Sequence, residues 1–289
     1  MTLRSQPLLL ASAAAAVLGL GGIALFARDL TAQGQGSEQP SLIDLLDQIG
    51  RPQPNAEPPV RPAPKPPARP AQSPALTRSC AAPLRERQQR LVARVSQLRT
   101  NPQRVSIDPT NYGNRFRRDA FGNPLDPSPR LVVLHETVYG LQSAINTFRT
   151  PHPRDEDQVS YHALVGQDGA VVLLLDPDKR AFGAGNSAFR GEWAVTNPAV
   201  GGSVNNFALH ISLETPPDGE HAGPGHSGYT QAQYDGLAAL LTVWMQTYGI
   251  TADRITTHQA VDLAGERADP RSFQWSELQG RLQDLQLLC

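Results

Sequence analysis

Cysteine is nearly missing from this chain: two thiols in 289 residues, Cys80 and Cys289. So few, so far apart, they offer no paired-cysteine zinc spacing and no persuasive thiol-protease nucleophile. An excess of one charge is missing too. The 26 basic and 27 acidic residues leave a formal net charge of -1, which removes any global pull toward nucleic acid or an anionic surface. Absent as well are an H-E-x-x-H pair and a phosphate-cradling glycine loop. "GHSGY" at 225–229 lacks the last glycine of a G-x-S-x-G elbow and follows no strand-like run, which argues against a serine hydrolase. No internal repeat is apparent. Specificity therefore has to reside in a local constellation.

Much of the length is not core-forming. Arg4 precedes a charge-free run from Pro7 to Ala27, the arrangement of an export signal, and the run is also about as long as the roughly 20 residues a membrane-spanning helix needs. Residues 1–30 are thus read as a signal peptide or a retained inner-membrane anchor. The chain is placed outside the cytoplasm, in the periplasm or cell envelope. Residues 31–79 read as a disordered linker with one short amphipathic piece, "SLIDLLDQIG". Ten prolines fall between positions 52 and 74, a composition that favours an extended, semi-rigid spacer. Residues 80–289 are left as the folded domain. In an oxidising compartment its two cysteines permit one disulfide bracketing the domain, the alternative being two free thiols at its ends.

Within that domain, Leu84, Leu91, Val92, Val95 and Leu98 recur at helical spacing between Pro83 and Arg99, predicting a packed amphipathic helix. "LVVLH" is a short apolar run like a strand covered on both faces, and it ends at His135. "VSYHALVGQDGAVVLLLD" reads as two strands joined at Asp168-Gly169. In "FALHISLE" the alternation puts His210, Ser212 and Glu214 on one side of a strand. "TQAQYDGLAALLTVWMQTYG" opens with a Thr230/Gln233 capping-box pair and closes on Gly249, predicting a core helix. Strands and helices in this order imply an α/β domain with a mixed central β-sheet flanked by helices.

The chemistry that survives is a distributed metal site. A catalytic zinc commonly takes two histidines and a carboxylate and keeps one position open for water. His135 at a strand end, His258 after "RITT" and Asp269 on the next loop supply such a set.

Five ordered blocks carry a resemblance: "LVVLHET", "VSYHALVGQDG", "RAFGAGNSAFRG", "VNNFALHISLE" and "HQAVDLAGERADPRSFQW". Over about residues 130–276 the chain resembles the zinc-dependent N-acetylmuramoyl-L-alanine amidases that share the peptidoglycan-recognition-protein fold. The resemblance implies Zn2+ on His135, His258 and Asp269. It implies hydrolysis of the amide between N-acetylmuramic acid and L-alanine, with peptidoglycan or a muropeptide as partner and no nucleic acid. Members assist the metal water in two ways. Phage-type amidases and catalytic recognition proteins use a tyrosine that falls on Tyr161; cytosolic muropeptide amidases use a glutamate at the position of Ser212. This chain follows the first pattern. Glu214, two residues further along, is read as a general base or its support. Arg267 stands where the family often has lysine, and adds positive charge without a proton to give. Many members carry His-Ala-Gly after an aromatic, where this chain has Phe182-Gly183-Ala184-Gly185, so that substrate-lining imidazole is missing. The alternative is a non-catalytic peptidoglycan-binding module of the same fold, for which a complete ligand set serves no purpose. His162 is read as a packing or supporting residue, and His152, His221 and His226 as surface residues.

Overall fold

The computed structural model describes residues 60–69, 73–221 and 223–289, and among them ten strands and five α-helices follow one another. The strands are β1 (Gln103–Arg104), β2 (Tyr112–Asn114), β3 (Leu131–Glu136), β4 (Ala163–Val165), β5 (Val171–Leu173), β6 (Lys179–Ala181), β7 (Ala194–Asn197), β8 (Gly201–Ser203), β9 (Ala208–Leu213) and β10 (Ile255–Thr257). The helices are α1 (Arg85–Thr100), α2 (Leu141–Arg149), α3 (Gln231–Tyr248), α4 (His258–Val261) and α5 (Trp275–Asp284). Six strands form the main sheet in the order β1-β5-β4-β9-β3-β10, while β2-β6 and β7-β8 pair separately. The contiguous strands β4, β9, β3 and β10 run parallel and β5 runs antiparallel to β4, so the sheet is mixed.

Alternation along β3 and β9 decides which side chains meet which layer. Val132 and Leu134, with Leu209, Ile211 and Leu213, join the large core under α1, α3 and α5. Leu131, Val133 and Ala208 belong to the opposite core, with Phe189, Val204, Phe207 and Val261. His135 and the pair His210 and Ser212 continue that second series by parity, so the polar group emerges on the face away from the three-helix layer. Both strands are buried throughout, as expected of parallel strands covered on two sides.

The local signals resolve as chemistry. In α3 the Thr230 hydroxyl accepts from Gln233 N–H at 3.0 Å, the Gln233 side chain accepts from Thr230 N–H at 3.0 Å, and Gly249 ends the helix at φ 66°. In the β4–β5 hairpin Gly169 has φ +79°, and an added Cβ would stand 2.2 Å from the Ala232 carbonyl oxygen. Glycine is thus required there by both backbone and packing. In α1 the buried residues are Leu91 and Val95, whereas Val92 and the preceding Leu84 are exposed, so the buried stripe is narrower than the sequence suggests.

The helix layer is cross-tied. Arg281, 1% exposed, donates to Asp235, to Glu277 and to Gln231. Arg87 pairs with Asp284. Cys80 and Cys289 form a disulfide across 209 residues, a closure that in the chain-entropy model stabilises by about 5 kcal/mol.

Part of the proline-rich stretch lies against this domain rather than away from it. Arg61 N–H donates to Phe121 O at 2.9 Å, Asn123 donates to Arg61 O at 3.0 Å, and the Trp193 indole donates to Pro64 O at 3.0 Å. The apolar run 7–27 and "SLIDLLDQIG" fall outside the described residues. Among the described residues no helix is long and apolar enough to cross a membrane.

Candidate metal centre

Parallel strands bring the three predicted ligands to one edge. Thr257 of β10 lies opposite Leu134 of β3, so the residues that follow them, His258 and His135, come side by side at the carboxyl ends of the strands. His258 is the first residue of α4, not the last of a strand, and Thr257 caps that helix by accepting from Ala260 N–H. Asp269 returns on the following loop, anchored where its carbonyl accepts from Gln259 N–H at 3.0 Å; its bond to Pro270 is cis.

The side chains converge. His135 Nδ1 lies 3.2 Å from Asp269 Oδ2, and His258 Nδ1 lies 3.0 and 3.1 Å from the two carboxylate oxygens. One ligand atom from each residue lies within 4.8 Å of the others. Two imidazoles and one carboxylate at this spacing fit a divalent ion of the zinc class with a position to spare. Burial pushes the His135 imidazole down to about 4, which keeps its lone pair available near neutrality. Burial alone would raise the Asp269 carboxyl, but the His135 and His258 imidazoles beside it outweigh burial and hold the group below the usual carboxylate range.

Of the other predicted residues, Tyr161 stacks on His135 with ring centroids 4.5 Å apart. It lines a cleft of about 850 Å3 together with His258, Arg267, Arg180 and Phe182. Burial, then the negative Asp269, drive the Tyr161 phenol upward from its ordinary value, so it stays a hydrogen-bond donor. Arg267 is exposed at the rim, on a turn organised by Asp262, whose Oδ2 accepts from the N–H groups of Glu266 and Arg267.

Glu214 is the correction. Its Oε1 accepts from Leu141 N–H at 2.7 Å and its Oε2 from Gln167 N–H at 2.8 Å, so the carboxylate caps the start of α2 and lines no part of the cleft. Strand β9 ends at Leu213, one residue before the alternation would carry Glu214 to the His210 and Ser212 side. It is not placed to act as a base. His226 also differs from expectation, because its side chain is fully buried and lies 3.2 Å from Glu136. His162 is buried as expected: its Nδ1 accepts from His210 N–H at 3.0 Å.

Sequence reading passed over the support behind the ligand loop. Glu136 accepts from the Tyr229 hydroxyl at 2.7 Å and from Arg271 N–H at 2.9 Å, and pairs with the Arg271 guanidinium. Arg271 also donates to the carbonyls of Gly219, His221 and Gly223. Strand residue 136 thus fixes the chain two residues beyond Asp269. The available signal was a carboxylate closing an apolar strand, which has to find a partner when buried.

Comparisons with known proteins identify relatives of the chain. The profile of the N-acetylmuramoyl-L-alanine amidase family matches residues 125–272. The 1,6-anhydro-N-acetylmuramyl-L-alanine amidase AmpD of Citrobacter freundii is 33% identical over 174 residues, covering 60% of this chain and 73% of that protein. AmpD of Haemophilus influenzae is 28% identical over 174 residues, covering 59% and 74%. A crystal structure of a selenomethionine AmpD derivative is 26% identical, covers 63% of this chain and 94% of its own, and superposes with a TM-score of 0.47. With just over half of its length matched by the family profile, the chain belongs to the N-acetylmuramoyl-L-alanine amidase family.

Proposed function

We propose that the reaction of this family, hydrolysis of the amide between N-acetylmuramic acid and L-alanine, takes place in the cleft above His135, His258 and Asp269, and that these three hold Zn2+. The observation that carries the reading is the meeting of one ring nitrogen from each of two imidazoles and one carboxylate oxygen within 4.8 Å of one another. When bound, zinc supplies polarisation of a carbonyl and acidification of water.

The chain's own groups do the remainder. Tyr161, kept protonated, offers an O–H donor beside His135 for the oxygen that gains negative charge as the amide carbonyl is attacked. Its ring also packs on the His135 ring and so limits the tilt of that ligand. Arg267 brings a permanent positive charge to the same cleft, and Asp262 holds the turn that presents it. The substrate class is peptidoglycan or its muropeptide fragments. Residues 7–27 are proposed to export or tether the chain, which would set it in the cell envelope.

The test joins metal analysis of the purified full chain to an assay for newly exposed L-alanine amino groups on wall material and on muropeptides. We expect about one zinc per chain and release that a chelator abolishes and zinc restores. Metal-free protein that binds wall material without release would instead identify a binding module.

A further inference from the structure

We propose that His210 is the positioning residue of this centre: its Nδ1 accepts a hydrogen bond from His135 Nε2 and thereby fixes the His135 tautomer that can bind metal. The inference rests on the metal centre proposed above and extends it to a residue that is not itself a ligand.

The geometry is specific. His135 turns Nδ1 toward Asp269 and His258, and its other nitrogen, Nε2, lies 2.9 Å from His210 Nδ1. Both imidazoles are 0% exposed, so no solvent competes for the contact. A neutral imidazole carries one N–H. If Nδ1 gives its lone pair to a metal, the proton has to sit on Nε2, which then needs an acceptor. His210 Nδ1 is the atom in place.

The site of His210 is prepared from two sides. Its backbone N–H is held by His162 Nδ1 at 3.0 Å. Opposite stands Gly183, where an added Cβ would lie 2.5 Å from His210 Nδ1 and 2.6 Å from its Cγ. The His210 ring therefore occupies the space that any side chain at position 183 would need. The lack of a histidine there and the presence of one at 210 are linked by exclusion. Accepting through Nδ1 obliges His210 to carry its own proton on Nε2, and that atom is buried without a partner among the described residues, as is the neighbouring Ser212 Oγ. A buried polar group left unpaired runs against general practice and calls for a functional account. Here the orientation required at Nδ1 supplies it. Outer partners of this kind typically contribute 10- to 100-fold in metal affinity.

The experiment measures zinc affinity of the full chain by competition with a chromophoric chelator, with thermal melting in parallel. His210→Ala is expected to weaken zinc binding roughly 10- to 100-fold. His210→Asn, whose amide oxygen can stand near the position of Nδ1, is expected to stay within about threefold of wild type. Gly183→Ala should weaken binding without touching a ligand, because its Cβ displaces the imidazole. Wild-type binding with His210→Ala within threefold of it would overturn this inference while leaving the metal centre intact; a wild-type chain that binds no zinc would overturn both. Should the variants not fold, nitrogen-15 NMR of wild-type imidazoles in the zinc-loaded protein decides. A proton on His210 Nε2 with a bare Nδ1 supports the inference, and a proton on His210 Nδ1 overturns it.

Discussion

The two faces of the central sheet bury polar groups under opposite terms. On the helix face Arg281 is as buried as any leucine, yet each of its three nitrogens has a partner: Asp235, Glu277 and Gln231. On the cleft face the buried side-chain atoms without partners among the described residues are Arg180 Nε, His210 Nε2 and Ser212 Oγ. The scaffold satisfies its charges, whereas burial at the site keeps the His135 and His210 imidazoles neutral and leaves polar atoms unpaired among the described residues. A fold tolerates such costs where other interactions over-determine the structure, and the closed helix layer provides them.

Substitutions should therefore separate the faces. The largest effect is expected for His258→Ala, which removes a proposed ligand while the helix layer stays intact: metal content and cleavage should both vanish, with thermal melting close to wild type. Retained full activity would take His258 out of the reaction. Arg281→Met should give the reverse, a stability loss of about 3 kcal/mol in denaturant titration with metal content unchanged; the low end of the range applies because Arg90 still faces Asp235. Tyr161→Phe keeps the ring on His135 and deletes only the donor, so kcat should fall roughly 10- to 1000-fold with metal retained.

The smallest effect expected is a pH slope. Burial, then the Arg115 charge, lower the His162 imidazole to about 3. The folded protein keeps it neutral while the unfolded chain protonates it below about 6.5. The unfolded state then binds the extra proton, so this contribution is full above pH 6.5 and is lost as pH falls toward 3. Urea titrations at pH 7 and 4.5 should show a smaller acid loss for His162→Gln than for wild type.

The convergence of His135, His258 and Asp269 was legible because each follows a recognisable strand or loop, and the proposal that they are ligands draws on the family pattern of their blocks. The core helix was legible from its caps, whose hydrogen bonds form as the sequence implies. Glu214 was misread since alternation says nothing about where a strand stops. Glu136 and Arg271 went unseen because their pairing joins residues 135 positions apart, a separation that no local period encodes. His210 had the right face in the sequence, but the contact between it and Gly183 exists only after β9 and the 183 loop pack together.

The most direct test is anomalous scattering at the zinc edge from crystals of the full chain purified with zinc. A single peak is expected about 2.0–2.2 Å from His135 Nδ1, His258 Nδ1 and an Asp269 oxygen. Strong zinc signal elsewhere, or none at these three atoms, would contradict the account.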